Sequence, residues 1–265
     1  MLNKLYRWSS SWTGTIIIVL AIIFFVAQAF VIPSGSMKNT LLIGDMLFVK
    51  KFSYGIPVPR IPWINTQVFP DLTGNEHLID AKGPERGDIV VFYAPAEREK
   101  GNYIHYVKRC VAKGGDIVAL KDKHLLLHPS EGNDFVKENF KNQQIVQIGE
   151  KLFVVDPYRK DHPGIHNDPS VSKDGFQPYQ LFDMLPLQVP EGEYFMMGDN
   201  RDHSNDSRFW GTVPYKYIVG QPWFVYFSWD ENKEIRWDRI FRSVESIEKD
   251  MEGKKLEINH KEGIY

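Results

Sequence analysis

Residues 103–112 read YIHYVKRCVA, and residues 88–93, shortly before them, read DIVVFY. Both stretches are rich in β-branched and aromatic residues and follow turn-prone segments that contain glycine, which is typical of β-strands. Strand alternation gives one face of the longer stretch the side chains of Ile104, Tyr106, Lys108, Cys110 and Ala112. The sequence therefore predicts a strand in which Lys108 lies among apolar neighbours.

Several other short apolar stretches predict further strands, with glycine–aspartate turns before a number of them. These stretches cover residues 46–50, 117–120, 151–155 and 194–197. Helical periodicity is scarce from residue 33 until the C-terminal region. We therefore expect a mainly β domain over most of the chain.

The strongest apolar signal lies near the N-terminus, where residues 15–32 read TIIIVLAIIFFVAQAFVI. This run is long enough to cross a bilayer as a helix. A cleavable signal peptide is the alternative, because basic residues precede the run and AQA at residues 27–29 has the small-x-small pattern of a cleavage site. We favour one transmembrane helix, because the apolar run continues beyond residue 29.

Composition excludes several classes of function. The chain has 265 residues, a net charge of −2 and a pI near 6.5, so it lacks the basic character expected of a nucleic-acid-binding protein. Cys110 is its one cysteine, so neither an internal disulfide nor a cysteine metal cluster is possible. We expect no metal and no cofactor. His162 and His166 have ligand-like spacing, but proline and glycine between them favour a solvated loop.

The segment PSGSM at residues 33–37 is a turn that can carry a nucleophile. Ser36 would be an exposed hydroxyl after the apolar run, and its own N–H together with the Ser34 hydroxyl could stabilise an oxyanion. A polar turn without a catalytic role is the simpler interpretation of this segment when it is considered alone.

Lys108 is the candidate general base. A free lysine has a pKa of about 10.4 and is protonated at neutral pH. Burial among apolar side chains disfavours the ammonium form and lowers the pKa, which converts the amine into a base. The alternative is a lysine that reaches water from the edge of a strand.

The segment GDNRDHSNDSR at residues 198–208 carries an unusual density of polar groups. Buried charges persist only when they are paired, so we expect Asp199, Asp206, Arg201 and Arg208 to form ion pairs that fix a loop near a dry site. Ser204 could hydrogen-bond to the amine of Lys108 and orient it.

Together these segments resemble bacterial type I signal peptidases. PSGSM after an apolar segment, RGDIVVF, YVKR followed by GGD, and GDNRDHSNDSR occur here in the family's order, over nearly the whole chain from residue 33 to about 241. The resemblance implies that Ser36 is the nucleophile and Lys108 the base, and that Ser34 and Ser36 N–H form the oxyanion hole. It also implies that Ser204 is the hydroxyl partner of the lysine, with Asp206, Arg208 and Asp199 in supporting roles.

The resemblance further implies the fold of the family, which consists of coiled antiparallel sheets with a variable inserted region. We also consider Met37 a candidate wall of the substrate pocket. The segments that we predict are a cytoplasmic N-terminus (1–14), a transmembrane helix (15–32), the first part of the catalytic core (33–119), an inserted region (120–190), the second part of the core (191–242) and a charged tail (243–265). One departure is Lys38-Asn39, where family members usually carry proline at the second position, so we expect a less rigid turn after the nucleophile.

The predicted activity is removal of signal peptides from exported preproteins after small-x-small sites, through an acyl-enzyme. The predicted location is the bacterial inner membrane, as a single-pass protein with its catalytic domain on the periplasmic side, in contact with lipid and close to the secretion translocon. Three alternatives stay open at this point. They are a Ser/Lys self-processing protein, a Ser-His-Asp hydrolase that uses His105 or His203, and an anchored β binding domain without catalysis.

Overall fold

The computed structural model of the chain describes residues 2–61, 66–175 and 177–251. Within these ranges the dominant secondary structure is antiparallel β-sheet. The strands are β1 (Ala27–Val31), β2 (Asp45–Lys50), β3 (Gly55–Pro57), β4 (His77–Asp80), β5 (Ile89–Tyr93), β6 (His105–Lys113), β7 (Ile117–Lys121), β8 (His124–His128), β9 (Ile145–Ile148), β10 (Lys151–Val155), β11 (Met184–Gln188), β12 (Glu193–Met197), β13 (Val213–Pro214), β14 (Ile218–Ser228) and β15 (Arg242–Ser243). Each strand predicted from the sequence is present, with its ends shifted by at most two residues.

The helices are short and lie mostly at the two ends of the chain or in connections. They are α1 (Leu2–Ser9), α2 (Trp12–Ala21), α3 (Pro95–Glu99), α4 (Asn133–Asn139), α5 (Ser207–Trp210) and α6 (Val244–Asp250). A π-helical stretch, Ile22–Val26, continues α2. The 3₁₀ turns are Gly35–Met37, Tyr179–Leu181, Arg201–His203, Tyr215–Tyr217 and Trp237–Arg239.

Two main sheets divide the strands between them. The larger sheet has the order β1-β2-β14-β5-β6-β12-β13, with β15 also paired to β14. The smaller sheet has the order β11-β7-β8-β10-β9, and β3 and β4 form a separate ribbon. All of these pairings are antiparallel, and the smaller sheet uses only residues from 117 to 188. The prediction of a mainly β protein with antiparallel sheets is confirmed.

The long strand β14 gives the larger sheet its curl. Its first residues pair with β5, and residues from Gln221 onward pair with β2. Register shifts interrupt both pairings, and bulges of this kind bend a strand and increase its twist. The sheet therefore buries apolar side chains on both faces. One core cluster includes Leu47, Val91 and Val225, and another includes Val90, Phe92 and Cys110.

The N-terminal apolar run does not form the single helix that the sequence predicts for residues 15–32. Helical structure ends at Val26, and Ala27–Val31 is the edge strand β1, paired with β2 from Ala27↔Lys50 to Val31↔Met46. Apolar β-branched and aromatic residues suit either structure, so hydropathy alone did not reveal that β2 would supply backbone partners. No helix in the described ranges has both the length and the apolar character needed to cross a membrane.

The pairing of β1 also bears on the alternative of a cleaved signal peptide. Ala29 pairs with Phe48 in the middle of β1. A cut after Ala29 would therefore separate most of an edge strand from the sheet. At the other end of the chain, α6 packs Val244 and Ile247 into the core cluster beside β14, so this charged region is anchored rather than wholly solvated. The rest of the predicted tail, from residue 252, lies outside the described residues.

Candidate active site

Ser36 lies in the 3₁₀ turn Gly35–Met37, and its side chain meets Lys108 of β6. The Lys108 Nζ donates a hydrogen bond to the Ser36 Oγ. The two residues are 72 positions apart in the sequence, so the contact exists only because the fold brings the turn to the strand. Ser36 is 8% exposed and Lys108 is 5% exposed, so the pair lies almost entirely out of bulk water.

Burial dominates the electrostatics of Lys108. Removal of the amine from water lowers the pKa of Lys108 from its usual value near 10.5 to about 8. Asp206 and Asp199 act in the opposite direction, and Arg208 lowers the pKa further. Since this pKa is close to neutrality, about one molecule in ten carries a neutral amine at pH 7. That amine can take the proton of the Ser36 hydroxyl across the existing hydrogen bond.

The backbone of the Ser36 turn is held by the loop that follows β12. Asn200 N donates to the Ser36 carbonyl oxygen at 3.1 Å, and Asn200 Nδ2 donates to the Gly35 carbonyl oxygen at 3.1 Å. The Ser34 and Ser36 hydroxyl oxygens are 3.4 Å apart and share a hydrogen bond. The turn is therefore fixed from outside, and both serines of the PSGSM segment face the same site.

The polar segment after β12 forms buried ion pairs through Asp199, Asp206 and Arg208, whereas Arg201 is in no ion pair with another described residue. Asp206 Oδ1 accepts from Arg208 Nε at 2.8 Å, and Asp206 Oδ2 accepts from Gly198 N at 2.9 Å. Burial acts to raise the pKa of Asp206, but Arg208 outweighs it and lowers the pKa below its usual value. The Ser204 hydroxyl is buried and, among the described residues, has no hydrogen-bond partner. Its assignment as the partner of Lys108 stays a prediction.

A second buried ion pair includes a residue that the sequence reasoning did not single out. Arg109 makes two hydrogen bonds of 2.7 Å to the carboxylate of Asp199, which also accepts one of 2.6 Å from Thr40 Oγ1. Arg109 Nη2 additionally contacts Glu248 of α6 at 2.5 Å. Arg109 follows Lys108 directly in YVKR, and this adjacency to the candidate base was the one sequence signal that it belongs to the site. Glu248 gave no such signal, because its partners are distant in the sequence.

An apolar cavity of about 230 Å³ opens beside Ser36 and Lys108. Its lining includes Phe30, Ile32, Met37, Ile104 and Val107. Met37 lines this cavity, although it is almost completely buried and also belongs to the main core, and its role as a wall of the substrate pocket stays a prediction. A larger cavity of about 580 Å³ lies on the smaller sheet and contains neither Ser36 nor Lys108. The smaller cavity is the one that Ser36 and Lys108 line.

The histidines have structural partners rather than a shared site. His166 is buried, and His162 contacts Glu248, so the prediction that both lie in a solvated loop is wrong. His203 is paired with Asp168 at 2.9 Å. Burial and the nearby charge of Lys51 lower the pKa of His105 to about 4. In the described part of the chain, no group of three or more histidine, cysteine or acidic residues could hold a metal ion.

A mainly β fold with a buried hydroxyl–amine pair of this kind points to the serine hydrolases that use lysine in place of histidine. Residues 5–229 match the family model described as signal peptidase, peptidase S26. The chain therefore belongs to the peptidase S26 family of signal peptidases.

Individual relatives agree with this assignment. A signal peptidase I from Helicobacter pylori is 46% identical over 94% of this chain and 96% of its own length. A signal peptidase I from Pseudomonas fluorescens is 34% identical over 88% of this chain and 77% of its own length. A solved signal peptidase I from Enterococcus faecalis matches 54% of this chain and 98% of that chain at 26% identity, with a TM-score of 0.30, which is too low to compare the folds.

Proposed function

We propose that this chain removes signal peptides from exported preproteins, with Ser36 as the nucleophile and Lys108 as the general base. The observation that carries the proposal is the hydrogen bond between Lys108 Nζ and Ser36 Oγ in a buried setting that lowers the pKa of the lysine to about 8. Membership of the signal peptidase family supplies the substrate class.

The reaction follows from these two groups. Neutral Lys108 takes the proton from Ser36 as Oγ attacks the scissile carbonyl carbon, and the resulting oxyanion is stabilised by Ser36 N–H and the Ser34 hydroxyl. The lysine then gives its proton to the leaving amine, which departs as the new N-terminus of the mature protein. In the second half the neutral amine deprotonates a water molecule, which attacks the acyl-enzyme and releases the signal peptide.

Selection of the substrate is assigned to the cavity beside Ser36 and to the strand edges next to it. β1 is an edge strand, and β6 pairs with β12 only from Arg109 onward, so residues 105–108 have no strand partner on that side within the described ranges. An extended substrate can add as a strand between these two edges. Ile32, Val107 and Met37 leave an apolar cavity that accepts small side chains near the cut.

The remaining support comes from Asp206, Arg208, Asp199 and Ser204, which we assign to the electrostatic and steric environment of the dyad. We assign catalysis to the larger sheet and treat the predicted inserted region, 120–190, as the unit that forms the smaller one. No cofactor takes part in the proposed mechanism.

We also propose that the chain acts at the bacterial inner membrane with the larger sheet on the periplasmic side, close to the secretion translocon. The support is the apolar N-terminal helix, whose side chains such as Ile16 and Ile17 are more than half exposed in the isolated chain. Apolar surface of this extent is typical of contact with lipid. Sedimentation of the full chain with membranes after alkaline washing is the expected result, and release into the wash would contradict this assignment.

The catalytic proposal is tested with the full chain in detergent and a preprotein that carries an Ala-x-Ala cleavage site. We expect Ser36→Ala and Lys108→Met each to lower kcat/KM by about 10³-fold or more while the protein stays folded. Ser172→Ala and Lys137→Met are matched controls at exposed positions and should cleave like the wild type. Substantial cleavage by either dyad variant would overturn the assignment of that residue.

A further inference from the structure

Residues 162–168, HPGIHND, form a segment that we call the strap, which packs against Asn39 and Thr40, shortly after the turn that carries Ser36. The strap lies within the stretch that the sequence suggested was a peripheral insertion, yet Ile165 and His166 are buried. Its main chain is attached to the loop after β12. His166 N donates to the Asp199 carbonyl oxygen at 2.9 Å, and Arg201 N donates to the His166 carbonyl oxygen at 2.9 Å.

The side chain of His166 reaches the chain just beyond Ser36. His166 Nδ1 is 3.0 Å from Asn39 Nδ2 and 2.8 Å from the Gly164 carbonyl oxygen. With its proton on Nε2, the imidazole accepts a hydrogen bond from Asn39 Nδ2 through Nδ1. This arrangement links the strap to the third residue after Ser36.

Asn39 has a backbone conformation that needs support. Its φ is +72°, in the left-handed region, which asparagine tolerates better than most residues and proline cannot adopt. This left-handed residue turns the chain so that Thr40 can reach Asp199. Gly164 lies directly against Thr40, and a side chain at 164 would collide with the Thr40 hydroxyl. The strap therefore contacts two adjacent residues, Asn39 and Thr40, that follow the turn carrying Ser36.

We propose that His166 is a positioning residue for the nucleophile: it acts through Asn39 to hold the left-handed turn that keeps the Ser36 hydroxyl against Lys108. This inference rests on the proposed roles of Ser36 and Lys108. His166 does not touch the reacting atoms. Because His166 fixes the geometry of the turn, its loss should lower kcat and leave substrate binding unchanged.

A double-mutant cycle tests the link between the two residues. His166→Ala and Asn39→Ala are each expected to lower kcat by about 10- to 100-fold with KM for the preprotein within about twofold of wild type. Because the two residues act as one unit, the double variant should be no worse than the more damaged single variant. Additive losses, or a wild-type kcat in His166→Ala, would overturn the inference.

Substitutions at Asn39 separate backbone conformation from the side-chain contact. Asn39→Gly keeps access to positive φ but lacks the amide, so its kcat should match that of His166→Ala, whereas Asn39→Pro should fall lower still. A wild-type kcat for Asn39→Gly would show that the contact with His166 is not required. These variants leave the buried His166 side chain intact, so they test the proposal even if His166→Ala fails to fold.

Two further variants complete the set. His124→Ala removes a histidine of β8 whose side chain is 57% exposed and contacts Asp156, and it should behave like the wild type. Ser36→Ala distinguishes the proposed function from the proposed role of His166. Retained cleavage in Ser36→Ala would contradict the proposed function itself, whereas loss in Ser36→Ala with normal His166→Ala would contradict only the role of the strap.

Discussion

Lys108 and Arg109 are consecutive residues of β6, and both are buried, but only Arg109 is paired with a carboxylate among the described residues. Burial alone acts to lower the pKa of Arg109, but Asp199 and Glu248 outweigh it and raise the pKa above its usual value. Lys108 has no comparable compensation, and its pKa falls to about 8. Because successive strand residues point to opposite faces, one dipeptide supplies a permanent cation on one side and a titratable amine on the other.

The pH dependence of cleavage follows from the pKa of Lys108. The base must be neutral to accept the Ser36 proton, so kcat/KM should rise with pH and level off above about 8. Below that value the rate should fall about tenfold for each pH unit. Initial rates between pH 6 and 10 give the midpoint. A midpoint near 6.5, the usual value for histidine, would contradict a lysine base.

The same burial has a cost in stability that Lys108→Met should remove. A lysine whose pKa falls from about 10.5 to about 8 destabilises the folded state by about 3 kcal/mol below pH 8. That cost disappears as the pH rises towards the unfolded-state value near 10.5. The variant should therefore gain up to about 3 kcal/mol in free energy of unfolding at pH 7 and little at pH 10.5.

Urea denaturation at the two pH values measures this difference. Lys137→Met, at an exposed position of α4, is the matched control and should not differ from wild type by more than about 0.5 kcal/mol. A destabilised Lys108→Met at pH 7 would contradict the account of a desolvated amine.

Asp206→Asn should change both the chemistry and the stability. The carboxylate of Asp206 raises the pKa of Lys108, so its removal should shift the midpoint of the pH profile below that of the wild type. The substitution also leaves Arg208 buried without its ion-pair partner, which costs about 3–5 kcal/mol. Asp134→Asn, at a position with 89% side-chain exposure, is the control for both measurements. An unchanged midpoint in folded Asp206→Asn would contradict electrostatic coupling to the lysine.

Gly198→Ala tests the packing behind the nucleophile. A Cβ atom at Gly198 would lie 2.5 Å from the Ser36 carbonyl oxygen and closer still to the Ser204 hydroxyl. The backbone must move, so we expect kcat to fall about 10- to 100-fold together with a lower melting temperature. Gly175→Ala is the control, because its nearest contact would be an ordinary 3.6 Å. Wild-type kcat in Gly198→Ala would show that the Ser36 turn tolerates displacement.

The sequence was most informative where physical constraints are local. Strand alternation identified the apolar surroundings of Lys108, and the dense charges of residues 198–208 indicated the Asp206–Arg208 ion pair, because both patterns reflect burial within a few residues. Their assembly into one site was predictable only through the resemblance of several separated motifs to one family.

Long-range contacts account for what the sequence reasoning missed. β1 was assigned to a helix because its partner strand, β2, lies elsewhere in the chain. His166 and Glu248 looked like solvent-exposed residues, since histidine beside proline and glycine, or glutamate in a charged helix, carries no local mark of burial. Their contacts with Asn39 and Arg109 arise from packing between segments that are more than 120 residues apart.

The continuity between the apolar helix and β1 has a mechanical consequence. Lys51 N donates to the Val26 carbonyl oxygen at the junction, and β1, which is hydrogen-bonded to β2, begins at the next residue, so the helix passes directly into the sheet. The orientation of the helix and the orientation of the larger sheet should therefore be coupled. A tilt of the helix should tilt the cavity beside Ser36 with it, so the surroundings that fix the helix also fix the orientation of that cavity.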